Sequence, residues 1–152
     1  MAQFSMQTPV GDLTLWGDAK GISRVEWARK SGSGEMPEPM MQAKAQLVEY
    51  FAGDRQDFDL PLTPRGSAFQ QDFYAALCAI PYGRTREYGE LAKDLGVSAQ
   101  AIGQACGANP IPIFIPCHRV LAANGLGGFS GGGGIEAKVE LLKLEGAASL
   151  LI

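Results

Sequence analysis

Apolar and polar positions alternate through the first 28 residues of the chain. "QFSMQTPVG" (3–11), "DLTLWGD" (12–18) and "GISRVEWA" (21–28) change side residue by residue between Gly and Asp turns. That is the period of half-buried strands, and it predicts a small antiparallel meander. Residues 30–39, "KSGSGEMPEP", carry no period and predict a loop. In "MMQAKAQLVEYFAGD" the period lengthens: Leu47, Val48 and Phe51 fall at helical spacing, and Gly53 is the stop. "DFDLPLTPRG" then sets three breakers behind one short strand, which places a domain boundary near residues 61–66.

Beyond that boundary the pattern is helical. Ser67 and Gln70 have the spacing of a capping box, the Ser oxygen accepting a free N–H and the Gln reaching back. The helix they open, "AFQQDFYAALCAI", aligns Phe69, Phe73, Leu77 and Ile80 before Pro81. "REYGELAKDLG" is a short helix closed by Gly96, and Ser98 caps "AQAIGQACGA". Two short helices around so tight a turn form a helix-turn-helix pattern, which serves DNA binding or plain core packing. In the second helix Gln100, Gly103, Gln104 and Gly107 share a small, uncharged face, while Ile102, Ala105 and Cys106 turn away. Such a face suits close approach to another helix, or entry into a narrow groove with amides for base edges or sugars. A last helix, "IEAKVELLKLEG", spaces Val139, Leu142 and Glu145 by three. The reading is an α/β chain of the α+β kind. Residues 1–64 form a small N-terminal antiparallel sheet with a helix, and residues 65–152 a mostly helical C-terminal domain containing the helix-turn-helix.

Composition narrows the classes. The 152 residues are 46% hydrophobic and 19% charged, enough to bury a core. No apolar run approaches the roughly 20 residues that span a bilayer, so no membrane partner is expected. "MAQFSMQTPVG" lacks the features of a signal peptide. Cys78, Cys106 and Cys117 cannot all pair, and free thiols in a reducing cytoplasm are the expectation. With one His and three scattered Cys, no zinc site and no other cofactor is expected. The net charge of −3 lies wholly in residues 1–64, with six basic and nine acidic side chains; residues 65–152 hold seven of each. There is no basic footprint for nucleic acid, so any DNA binding must be weakly electrostatic or rest on backbone donors and helix ends.

The candidate chemistry sits in "IPIFIPCHRVLAANG" (111–125), where Cys117 adjoins His118, the sole histidine. Alone, the pair is weak evidence: a buried Cys is usually a small hydrophobe. Its context is specific. "NPIPIFIPCHRV" (109–120), followed by "NGLGGFSGG" and "KVELLKLEG" and preceded by "PYGRTREYGELA", resembles the active-site region of the O6-alkylguanine-DNA alkyltransferases, the methylated-DNA–protein-cysteine methyltransferases. The resemblance runs from about Ser67 to Gly146; the first 60 residues fit the family by architecture only.

The resemblance implies a set of roles. Cys117 accepts an alkyl group irreversibly from O6 of a guanine flipped out of double-stranded DNA, with O4-alkylthymine a further possible substrate. His118 acts on the thiol through a water, oriented by Glu145, which on residues alone reads sooner as a solvated helix-end carboxylate. Asn109 satisfies backbone groups of the loop that carries Cys117, where Pro110, Pro112 and Pro116 remove donors. Tyr88 contacts the flipped nucleotide and gives a proton to the departing guanine; its plain alternative is a helix-start aromatic. The Ser130 N–H faces the guanine O6, the Cys117 and Val120 carbonyls accept from the base's amine, and Arg119 is counted among the DNA-binding positions. Two departures stand out. Gln100 occupies the place of the family's intercalating Arg, and Phe129 stands where some members have Tyr. The expected protein is a monomeric, single-turnover DNA-repair methyltransferase; the alternative is a module that binds alkyl lesions without chemistry.

Overall fold

The computed structural model describes residues 2–32, 34–123, 125–127 and 134–147. Three strands, β1 (Ala2–Thr8), β2 (Gly11–Asp18) and β3 (Gly21–Glu26), form an antiparallel sheet in chain order, as the alternation predicts. Phe4 pairs with Leu15, and Leu15 with Val25, which gathers the apolar side chains on one face. At Trp16/Gly17 the register slips. A Cβ at Gly17 would stand 2.6 Å from the Gly21 carbonyl oxygen and 2.7 Å from the Met40 sulfur, so the bare backbone lets a helix dock there.

That helix is α1 (Glu38–Phe51), with Pro39 in its first turn, where a missing N–H costs nothing. It begins two residues inside the segment expected to be loop. Its buried stripe is Met40, Ala43, Leu47 and Tyr50, which overlaps only in part with the residues whose spacing predicts the helix, Leu47, Val48 and Phe51. Leu47 belongs to both sets, but Val48 lies about 100° further round the helix and is 56% exposed. Buried Gln46 ties down the connection that follows, donating to the Asp59 carbonyl (3.0 Å) and accepting from its N–H (2.9 Å).

The outer edge of β3 is not left open. Ile22 donates to Pro61 O (3.0 Å), Thr63 donates to Ile22 O (2.8 Å), and Val25 donates to Pro110 O (2.9 Å). The last bond fixes the Asn109-Pro110 segment to the sheet, and the edge cannot template another strand.

The second part is helical. α2 (Ala68–Cys78) opens with the full Ser67/Gln70 capping box. β4 (Arg86–Glu87) leads into α3 (Tyr88–Leu95), which ends on Gly96 at φ +71°, and α4 (Ala99–Gly107) starts on a Ser98 cap. β5 (Val120–Leu121) pairs parallel with β4, and α5 (Ile135–Glu145) closes the described fold. One cluster of buried side chains runs from Leu13, Leu15 and Val25 through Leu47 and Tyr50 to Phe73, Leu77, Leu91, Ile102 and Ile115. The sheet and the helices therefore share a core.

Candidate active site

The loop between α4 and β5 is stiff for local reasons. Three prolines withdraw donors, and the Asn109 side chain replaces them: its amide donates to Ile115 O (2.8 Å) and its carbonyl accepts from Ile111 N–H (3.0 Å). Ile113 lies at φ +76°, a costly conformation for a buried β-branched residue that the surrounding bonds enforce. Pro116, at φ −82° and ψ 67°, centres an inverse γ-turn closed by Cys117 N–H to Ile115 O (2.8 Å). Cys117–Arg119 then make one 3-10 turn. A tight turn followed by a tighter helix swings three consecutive side chains into the interior: Cys117, His118 and Arg119 are all buried.

Those side chains converge on Glu145, the last residue of α5. His118 Nε2 lies 2.8 Å from Glu145 Oε2. Arg119 Nε donates to Oε1 (2.8 Å) and Nη2 to Oε2 (3.0 Å), while Nη1 donates to Ile80 O (2.6 Å). Tyr50 Oη, from α1, donates to Oε2 at 2.6 Å. Burial pushes the Glu145 carboxyl up, but bonds from His118, Arg119 and Tyr50 outweigh it and hold the group at about 2. It is a carboxylate, able only to accept. Burial lowers the His118 pKa against the opposing pull of Glu145, so the ring is neutral and must carry its proton on Nε2. Nδ1 is then a bare lone pair, buried and with no hydrogen-bond partner among the described residues. Thiol and imidazole therefore do not touch directly.

Burial also raises the Cys117 thiol, eased by a hydrogen bond from the Asn109 side chain and by the charge of Lys138. The resting pair is thiol and neutral imidazole. Lys138 is fully buried on α5, where its Nζ donates to the carbonyls of Val120 (2.7 Å) and Leu126 (2.5 Å) and sits 5.8 Å from the centre of the Tyr88 ring. Tyr88 is the half-buried first residue of α3. Gly127, at φ +72°, passes so close that a Cβ would meet its ring at 2.8 Å.

The other expected positions divide. Glu145 is buried, not a solvated helix end. Arg119 does not face outward as a DNA-binding side chain would: its guanidinium is engaged by Glu145 and Ile80 because the 3-10 turn points it inward. The Val120 carbonyl already accepts from Lys138 and the Cys117 carbonyl from Val120 N–H, which leaves each a second lone pair. Gln100, Gly103, Gln104 and Gly107 are exposed along α4, and a Cβ at Gly103 or Gly107 would meet open space, so helix packing does not account for the glycines. Ser130 and Phe129 lie outside the described residues. Tyr50 and Lys138 were not legible as site residues. Lys138 had a signal, a lysine on the same stripe as Ala137, Leu141 and Leu142; Tyr50 had none linking it to a residue 95 positions away.

Comparison with known proteins agrees over nearly the whole chain. Residues 68–147 match the family model "6-O-methylguanine DNA methyltransferase, DNA binding domain", and residues 3–64 match its "ribonuclease-like domain". The methylated-DNA–protein-cysteine methyltransferase of Methanosarcina acetivorans is 41% identical, over 93% of this chain and 96% of its own length. That of Mycobacterium tuberculosis is 43% identical, over 93% and 90%. Among solved structures, Mycobacterium tuberculosis O6-methylguanine methyltransferase superposes with a TM-score of 0.84 at 40% identity, covering 96% of this chain and 93% of that one. Mycobacterium tuberculosis OGT in complex with DNA gives 0.82 at 41%, covering 94% and 92%.

Proposed function

Because the chain belongs to the 6-O-methylguanine DNA methyltransferase family, we propose that it repairs DNA by moving an alkyl group from O6 of a flipped-out guanine to its own Cys117, one group per molecule. It is a methylated-DNA–protein-cysteine methyltransferase, and DNA is its partner. The observation that carries the assignment of the acceptor is the buried chain Cys117, His118, Glu145, with a neutral imidazole whose Nδ1 is bare.

The alkylated oxygen of a paired guanine lies inside the duplex, so the base must leave the stack. A thiol is a poor nucleophile, and this one is held protonated by burial. The Cys117 proton passes through a water to His118 Nδ1, and Glu145, ionised and fixed by Arg119, stabilises the imidazolium. The thiolate attacks the alkyl carbon; the S–C bond forms as the C–O6 bond breaks, and its electron pair returns to guanine. Tyr88 supplies the proton guanine needs, and the imidazolium proton replaces it through solvent. Asn109 and Lys138 ease the thiolate's charge, while the second lone pairs of the Cys117 and Val120 carbonyls accept from the guanine amine, and the Ser130 N–H donates to O6. The thioether is stable, so the protein is consumed.

The expected division of labour is residues 1–64 as one domain and 65–152 as the DNA-binding and alkyl-accepting domain, in a monomer working in the cytoplasm. No helix among the described residues is long and apolar enough to cross a membrane. The decisive experiment is intact-mass and peptide analysis after incubation with O6-methylguanine DNA. The expected result is one methyl group on the peptide containing Cys117. A methyl on Cys78 or Cys106, or none with tight lesion binding, overturns the reading, the latter in favour of a binding module without chemistry.

A further inference from the structure

Glu145 is gripped from three directions, and one of them is α1, in the N-terminal part of the chain. Tyr50 is fully buried, and its hydroxyl reaches the same oxygen, Oε2, that His118 uses. Its ring has no room to turn. It meets Phe51 edge-on with centroids 5.1 Å apart, Phe58 at 5.1 Å and Tyr82 edge-on at 6.3 Å. Phe58 in turn stacks edge-on against Phe114 of the Cys117 loop at 4.6 Å. Packing alone would accept Phe at position 50; the hydroxyl adds only the bond to Glu145.

We infer that Tyr50 is a positioning residue for alkyl transfer: its hydroxyl fixes the orientation of Glu145 and the charge Glu145 presents to His118, so the N-terminal part activates Cys117 without touching DNA at that point. The inference rests on the relay proposed above. Oε2 receives three donors, from Tyr50, His118 and Arg119. Each donor draws on the same charge, so the Tyr50 bond weakens the pull of Glu145 on a protonated imidazole. The groups facing His118 are Glu145 and Lys138 from α5, and Arg119 from its own turn; Tyr82, from the segment after α2, faces Glu145 and Arg119. Of these, only Glu145 loses a partner when the Tyr50 hydroxyl is removed.

The test is Tyr50→Phe. His118 is the only histidine, so the signal of its isotope-labelled imidazole needs no assignment. The Phe variant should melt cooperatively near wild type and titrate His118 at a higher pH, because Glu145 then pulls harder on it. It should transfer methyl about tenfold more slowly, because the unanchored carboxylate no longer holds the imidazole in line, the scale of one lost hydrogen bond to a charged group. An unchanged His118 titration in the folded variant overturns the inference, whatever happens to the rate. If the variant does not fold, wild type decides: a slowly exchanging Tyr50 hydroxyl proton should cross-relax with the His118 Nε2 proton, and its absence sinks the idea. Peptide mass on wild type tests Cys117 as acceptor separately, so the two readings can fail independently.

Discussion

Around Glu145 both carboxylate oxygens have donors from the protein itself, supplied by α1 and by the 3-10 turn. On the outer face of α4, Gln100 and Gln104 turn their amides outward beside glycines with open space in front of them. Buried charge requires partners at the moment of folding, because an unpaired ion in the interior costs several kcal/mol. An exposed amide is satisfied by water and can exchange it for a ligand at little cost. The difference teaches where each kind of change should register: in the buried relay as lost chemistry or stability, on α4 as altered affinity.

The largest effect belongs to the acceptor. Cys117→Ala should abolish transfer and leave lesion binding intact, measured by methyl counting and by titration of O6-methylguanine duplex. Residual transfer would move the nucleophile elsewhere. Next comes the base. His118→Ala should slow alkylation by roughly 10²–10⁴, the usual loss with a general base. Its rate should climb with pH towards the raised thiol pKa, because solvent must now take the proton. Glu145→Gln should slow the reaction less than His118→Ala, and a wild-type rate would remove Glu145 from the relay.

The same burial sets a stability profile. A buried neutral His118, with a pKa below 6.5, favours the folded state above 6.5, and that contribution is lost as the pH falls below 6.5. Glu145, depressed from 4.5 to about 2, loses its contribution between those values. Cys117, raised above 9.0, loses its contribution as the pH climbs past 9.0. Urea midpoints should therefore fall on both flanks, and His118→Gln should flatten the first acid step.

Legibility in the sequence follows the same divide. Whatever is fixed within four residues could be read: the Ser67/Gln70 box, the Gly96 stop, the Ser98 cap and the alternation of the strands. In α1 the spacing of Leu47, Val48 and Phe51 announces a helix but not its buried face, and only the docked sheet shows that Met40, Ala43 and Tyr50 face inward. The inward turn of Arg119 follows from the inverse γ-turn at Pro116, which no local residue pattern announces. Motif resemblance brought Cys117, His118 and Glu145 together across 28 positions. It said nothing of Tyr50 or Lys138, whose partners are chosen by tertiary packing.

On α4, Gly103→Ala separates helix economy from recognition. Ala is favoured over Gly in an exposed helix interior by about 1 kcal/mol, and the added methyl meets no protein atom. The melting temperature should rise. Duplex binding should weaken if the small face enters a groove; unchanged binding would make the glycine idle.

The smallest effect is expected at Gln100. A flipped base leaves a gap in the stack, and its partner loses hydrogen bonds. An Arg fills such a gap with a long side chain, several donors and a charge favoured by the negative groove. Gln is shorter and neutral, and neither Gln104 nor the glycines of this face add charge. Gln100→Arg should tighten duplex binding and speed repair a few-fold, and steepen the salt dependence by about one phosphate contact where the guanidinium reaches the backbone. Single-stranded O6-methylguanine, already unstacked, should be repaired at the wild-type rate. That contrast isolates the step: a gain on both substrates is general electrostatic attraction, whereas a gain on duplex alone is help with extrusion. No gain on either would mean that Gln100 never enters the stack.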